Sequence, residues 1–316
     1  MEKSLLKHKL AKYARELAPL LSVVLITVFF QIVCQGKLLT QKNLVVLVNQ
    51  IFFTLLIAMG AIFVYAHGNM DISLGGMFGV AMLLGAIVTQ AASSLLLGFL
   101  VIMVFCTVIG FINGVLQDNF RRLPFLPSLC MMFILSGILT FASNIKTFKI
   151  SNDYAVYDNF IIKIAVILVC GAISYLLFNH TKIVKFNKAI GGNTVAAAQL
   201  GIHVTRYKVI AFTITGIYTG IAAFFGLLRT RSVSAESGAG LHFDVMIAII
   251  YGGMALSGGS RSRFSAAVYG SIIVTILGNG LTMSGFSTGM VSLIKAIIFL
   301  ILVYISSEKT KGALPR

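Results

Sequence analysis

Asp71 stands between two long apolar runs with no real loop around it. An ionised carboxylate facing lipid is costly, so this residue must face protein or water. It can accept backbone N–H bonds as the N-cap of a segment beginning at Ile72. It can also line a translocation cavity, and the two roles can coexist. We expect it to support a break in the helix, with Asn69, Ser73 and Gly75 around it. Asn49, Gln50 and Asn113 are amides inside apolar runs, suited to interhelical hydrogen bonds or to a polar solute in a pore. The five histidines (His8, His67, His180, His203 and His242) lie at ends and loops without metal-like spacing. No G-x-x-x-x-G-K-[ST] phosphate loop is present, so any ATP hydrolysis of that type belongs to another chain. Cys34, Cys106, Cys130 and Cys170 sit in or beside apolar runs, form no C-x-x-C pair, and read as small buried residues. The residues thus point away from an enzyme, and no cofactor or metal is expected.

The elements that must position these groups are membrane helices. Of 316 residues, 58% are hydrophobic and 11% charged, against about a quarter charged in soluble domains. The apolar residues come in runs matching a hydrocarbon core of about 30 Å at 1.5 Å per helical residue. We expect an all-α, polytopic transmembrane bundle of about ten helices, near 18–34, 44–66, 72–89, 95–117, 125–143, 160–178, 209–228, 242–257, 264–283 and 289–305. The eighth is short enough to be a partial span. Residues 1–17 form an N-terminal segment, 18–305 a single membrane domain, and 306–316 a tail. The basic residues before the first run could suggest a signal peptide, but no small-residue cleavage site follows, and we expect an uncleaved first helix.

The net charge of +16 is spread through loops, so it reads as a topology signal and not as a nucleic-acid surface. With the N-terminus in the cytoplasm, only Lys37, Lys42, Lys146, Lys149, Arg229 and Arg231 fall outside, against 17 basic residues inside. The positive-inside rule then places both termini in the cytoplasm of a multi-pass protein of the cell membrane. Lys163 and Lys295 fall within spans. We expect Lys163 to snorkel to the interface. Lys295 either faces protein or marks a span boundary.

Two stretches echo each other. Gly68-Asn69-Met70-Asp71-Ile72-Ser73-Leu74-Gly75-Gly76 and Gly252-Gly253-Met254-Ala255-Leu256-Ser257-Gly258-Gly259 each follow one apolar run and open another. Six helices separate them, which predicts a parallel internal repeat with interrupted helices near the solute path. Gly252, Gly253 and Ser257 therefore join Asn69, Asp71, Ser73, Gly75 and Asn113 as candidates for the path or the helix break. Gly75-x-x-x-Gly79, Gly110-x-x-x-Gly114 and Gly216-x-x-x-Gly220 predict close helix packing.

The longest cytoplasmic connection is 179–208. Within it, Thr194–Leu200 has good helix formers, Asn193 can cap it and Gly201 can end it. A small Ala-rich helix in a basic loop suits docking into a partner's groove. This loop, Gly191-Gly192-Asn193-Thr194-Val195-Ala196-Ala197-Ala198-Gln199-Leu200-Gly201-Ile202 through Lys208, together with the two glycine motifs and Asn279-Gly280-Leu281, resembles the permeases of ribose-type ABC sugar importers. The similarity runs from about residue 44 to near the end.

The resemblance implies a permease subunit for a simple sugar such as a pentose or hexose. It also implies a second permease copy or homologue, a separate ATPase subunit, and an extracytoplasmic sugar-binding protein. Gly191, Gly192, Asn193, Ala196, Ala197, Gly201 and Lys208 would belong to the element that couples to the ATPase. Permeases for branched-chain amino acids or nucleosides share this plan, and an ion-coupled carrier is the competitor from another class. Such a carrier wants ionisable groups in its spans, and beyond Asp71, Asp244 and Lys295 there are few. The sequence departs from the family pattern at Asn69, Met70, Arg261 and Ser265, and we expect Pro127 to interrupt the start of the fifth helix.

Overall fold

The computed structural model describes residues 19–120 and 123–308. The expected N-terminal segment 1–17, Arg121 and Arg122, and the tail from 309 lie outside the described residues. Helix dominates. Seven helices are long and apolar enough to cross a membrane: α2 (Gln41–Ala66), α3 (Leu74–Ala92), α4 (Leu95–Asn119), α5 (Leu126–Ile145), α6 (Phe160–His180), α9 (Val204–Thr230) and α11 (Ser265–Met283). Three further apolar helices are shorter over their described length: α1 (Pro19–Val33), α10 (Leu241–Tyr251) and the stretch Thr288–Tyr304 of α12 (Thr288–Glu308). Two helices lie between α6 and α9: α7 (Lys182–Gly192) and α8 (Thr194–Gln199). The strands β1 (Phe148–Lys149) and β2 (Ser232–Val233) pair antiparallel, Phe148 opposite Val233. The chain is therefore a helical membrane bundle, with seven helices of full spanning length among the described residues.

Burial separates an inner from an outer layer. α2, α3, α9 and α11 are mostly buried, whereas α4, α5 and α6 turn most of their apolar surface outward, as lipid-facing helices do. The inner helices are held by close packing and by hydroxyls bonding across helices. Thr215 Oγ1 donates to Gly60 O (3.1 Å), Ser174 Oγ to Met59 O (2.8 Å) and Tyr218 Oη to Cys170 O (2.8 Å). Such bonds contribute about 0.6 kcal/mol each on average in a membrane. The small-residue faces on α4 and α9 meet each other: a Cβ on Gly110 would stand 3.2 Å from Gly216 Cα. Gly75 and Gly79 do otherwise. Their open face receives the backbone of Ser237 and Gly238, from the connection before α10, with Leu139 of α5 beside Gly79 and His242 of α10 beside Gly75.

That contact explains α10. Eleven residues rise only about 17 Å, half of what a crossing needs. The connection 234–240 reaches down to the first turns of α3, so α10 starts inside the bundle. Irregular backbone at that depth is tolerated only when protein covers it, and Gly75 and Gly79 provide the cover. Gly238 and Gly240, at φ +85° and +73°, allow the chain to turn there.

The connections segregate to two ends. At one end Ser93 O accepts from Tyr154 Oη (3.5 Å), and β1 pairs β2. At the other lie 67–73, 193–203, 252–264 and α7. Pro127 does not interrupt α5. It sits in the first turn, where a missing N–H costs nothing.

Candidate functional site

Three segments distant in sequence converge at the end that carries α7 and α8. α7 is amphipathic: Val184, Asn187, Ile190 and Gly191 are buried on one face, while Lys182, Lys185 and Lys188 lie off it. Gly191 rests on the end of α2. A Cβ there would collide with Ala66 O and stand 2.6 Å from Gly259 N. Gly259 N in turn donates to Ala66 O at 2.9 Å. Gly68, at φ +79°, lies against Ser257 O, and a Cβ on Gly258 would reach the backbone of Tyr65, Ala66 and Gly68. The two glycine motifs and the loop glycine are thus one junction, packed backbone to backbone.

The break between α2 and α3 is braced from α4. Asp71 is buried, and its Oδ1 accepts from Ser73 N (3.0 Å) and Ser73 Oγ (2.7 Å). Ser73, not Asp71, is the N-cap residue, and the helix begins at Leu74 instead of Ile72. Asn113 Nδ2 donates to Ser73 Oγ (2.7 Å). Asn69 Nδ2 donates to Gln117 Oε1 (2.8 Å), and Gln117 Nε2 to Met70 O (2.9 Å). These groups form a buried polar brace in which Asp71 Oδ2 and Asn113 Oδ1 make no hydrogen bond among the described residues.

Beside it, Asp118 on α4 accepts from Thr205 Oγ1 (2.5 Å) and pairs with Lys208 Nζ (3.4 Å) on α9. Lys208 is therefore a buried partner of the bundle and not an exposed part of the loop. His67 is buried against Phe212, with neither ring nitrogen hydrogen-bonded. Burial, then the charge of Lys208, lowers its pKa to about 3, so the ring stays neutral at physiological pH. On α7, burial and then the charge of Arg263 lower the Lys188 pKa.

α8 stands out from this junction. Asn193 Oδ1 accepts from Ala196 N (3.0 Å) and caps the helix, and Gly201 follows at φ +79°. Val195 and Leu200 are 63% and 81% exposed. Ala197 packs inward, whereas Ala196 points out, as does Gly192.

A cavity of about 730 Å³ opens between α2, α10, α11 and α12. Gln50, Thr54, Asn279 and Ser292 line it with polar groups, and Phe53 and Phe299 with aromatic faces. Asp244, in the first turn of α10, pairs across it with Lys295 of α12 at 2.7 Å. A volume in this range with a few convergent polar groups is characteristic of small-molecule sites.

Residues 43–303 match the family described as branched-chain amino acid transport system / permease component. The chain belongs to this permease family. Among its relatives, the ribose import permease protein RbsC of Bacillus subtilis (strain 168) is 27% identical over 304 residues, covering 94% of both chains. RbsC of Escherichia coli (strain K12) is 25% identical, covering 85% of this chain and 87% of that protein. The galactofuranose transporter permease protein YtfT of Escherichia coli (strain K12) is 28% identical, covering 89% and 84%. No solved structure matches the chain significantly.

Within the permease, the residues singled out from sequence divide into three places. Gly191, Gly252, Gly253 and Ser257 belong to the glycine junction or its turns. Gly192, Asn193, Ala196, Ala197 and Gly201 form the projecting helix and its ends. Asn69, Asp71, Ser73 and Asn113 form the brace of the break, and none of them lines the cavity between α2, α10, α11 and α12. The three amides in apolar runs also part ways: Asn113 joins the brace, Asn49 Oδ1 accepts from Lys163 Nζ (2.5 Å), and Gln50 lines the cavity. Lys163 does not snorkel outward. It is 3% exposed and paired with Asp158 at 2.5 Å, because a partner is at hand and water is not.

Asp244 and Lys295 were the groups that sequence reasoning undervalued. The signal was present: a carboxylate and an ammonium, each in an apolar run without a local partner, need each other in a membrane. Their separation by 51 positions, with α11 between their two helices, hid the pairing.

Proposed function

We propose that the permease is the membrane subunit of an ATP-driven importer, forming the path of a simple sugar such as a pentose or hexose. The carrying observation is the match to the Bacillus subtilis ribose import permease along 94% of both chains. The cavity supports it, since amides, hydroxyls and aromatic faces suit a neutral, hydroxyl-rich solute better than an aliphatic one. The chain carries no phosphate loop of the Walker type, so hydrolysis is assigned to a separate ATPase. Docking of that ATPase is assigned to α8, whose exposed Val195 and Leu200 offer apolar anchors. Movement of α8 would reach the bundle through Gly191, which touches the ends of both breaks. Nucleotide drives the change only if the ATPase binds the two states of the permease differently.

In this reading ten segments enter the membrane, α10 as a half-span completed by the connection 234–240. Both termini face the cytoplasm, and the two glycine motifs belong to a parallel repeat. A second permease copy or homologue and an extracytoplasmic binding protein complete the importer in the cell membrane. The family description favours a second reading, import of branched-chain amino acids. Deleting the gene in its native host and measuring uptake of labelled D-ribose, D-galactose, D-fructose and L-leucine separates the two. Loss of uptake of one of the sugars with leucine uptake intact is the expected result; loss of leucine uptake alone overturns the sugar assignment.

A further inference from the structure

The bundle holds recesses of comparable volume whose chemistry differs. One, of about 760 Å³, is lined by Leu95, Phe99, Ile161, Val166, Ile221 and Phe224 among other nearly all apolar groups. It offers a hydroxylated solute almost nothing. Another, of about 730 Å³, contains both members of an ion pair.

We infer that Asp244 and Lys295 are the solute-recognising pair of that cavity and that they select for a neutral, polyhydroxylated solute over a charged one. This rests on the sugar-importer reading above and adds the residues and the charge rule.

The geometry supports a recognition role over a merely structural one. The pair is not sealed: the side chains are 27% and 17% exposed. It is also built for. Gly278 on α11 has no side chain where the lysine passes, and a Cβ there would stand 3.1 Å from Lys295 Nζ. Asp244 Oδ1 takes the ammonium, which leaves the other carboxylate oxygen for a hydroxyl. The ammonium has donors to spare beyond that bond. Two adjacent hydroxyls of a sugar can therefore bridge the pair, one donating to Asp244 and one accepting from Lys295. Gln50, which makes no side-chain hydrogen bond among the described residues, and Thr54 extend the polar rim. Phe53 and Phe299 can face the C–H side of a ring. The pair carries no net charge, so a neutral guest leaves the balance intact. An anion would take Lys295 and leave Asp244 uncompensated in an apolar setting, which is strongly unfavourable. A cation meets the converse penalty.

The test replaces the chromosomal gene in the native host, so that the partners remain, and measures uptake of labelled D-ribose, D-galactose and D-fructose. D244N/K295Q removes both charges together, which avoids leaving a lone buried charge and should insert at wild-type levels. For whichever sugar the wild type carries, uptake at low concentration should fall about tenfold or more, chiefly through KM. D244N alone leaves a free ammonium, and D-galacturonate should then compete at about fivefold lower concentration than against wild type, a change that a purely structural pair would not produce. Double-variant uptake within about twofold of wild type, or unchanged galacturonate competition in D244N, overturns the inference while leaving the sugar reading standing. If the wild type carries none of the three sugars, the sugar reading itself falls, and this inference with it.

Discussion

At the residue scale, the glycines near α7 make sharply different demands. Gly191 has no room for a methyl group, because backbone atoms of Ala66 and Gly259 fill the space. Gly192, its neighbour, has nothing within 4 Å of its would-be Cβ. We predict that Gly191→Ala disrupts the junction and abolishes uptake, while Gly192→Ala leaves uptake near wild type; whole-cell uptake at matched membrane levels checks both. Gly201 is a third case. It has space but a left-handed backbone, so Gly201→Ala should cost about 1 kcal/mol of local stability without a clash. His67 gives a pH prediction. Its folded pKa lies below the ordinary imidazole value of 6.5, so unfolding takes up a proton. The stability it contributes is complete above about pH 6.5 and is lost as pH falls toward 3. Thermal unfolding in nanodiscs should therefore shift downward on acidification from pH 7 to 4.5, and less so in His67→Asn. An identical pH response in the variant contradicts the assignment.

At the element scale, α4 and α9 are joined by bare glycine contacts and by the Asp118–Lys208 pair. Deleting the lysine removes one charged partner of the buried Asp118, a loss of about 1.5–3 kcal/mol for a hydrogen bond to a charged group. Lys208→Met should thus lower the temperature of thermal unfolding in nanodiscs, and an unchanged transition would contradict a stabilising role for the pair. This scale also separates what the sequence carried from what it did not. Hydropathy located the apolar helices, because length and composition are local properties. The cap at Asn193 and the turn at Gly201 were legible for the same reason. The fate of Gly75 and Gly79 was not. A small-residue face says that something approaches closely, and it took the fold to show that the Ser237–Gly238 backbone does so. The shortness of the eighth run already suggested a partial span, but its expected end at 257 overshot, because the apolar run continues past Tyr251 into the turn that meets Gly68.

At the scale of the whole molecule, the pairings that matter for transport are long-range. Ala66, Gly191 and Gly259 meet across most of the chain, as do Asp244 and Lys295 across the intervening α11. Each motif was visible alone, but their convergence depends on how the bundle closes. That convergence gives the permease its logic: a cavity at one place, two breaks in the helices, and a projecting helix touching both breaks through Gly191. A cysteine at Leu200, which is 81% exposed, should react with a membrane-impermeant maleimide only from the cytoplasmic side in oriented vesicles. Labelling from the other side contradicts the proposed topology. The central claim, that force comes from nucleotide hydrolysis on another chain, is tested most directly by the energy source for sugar uptake. In cells or vesicles carrying the intact importer, uptake should stop when ATP is depleted and persist when an ionophore collapses the ion gradients. Uptake that survives ATP depletion and stops with the ionophore would contradict the account.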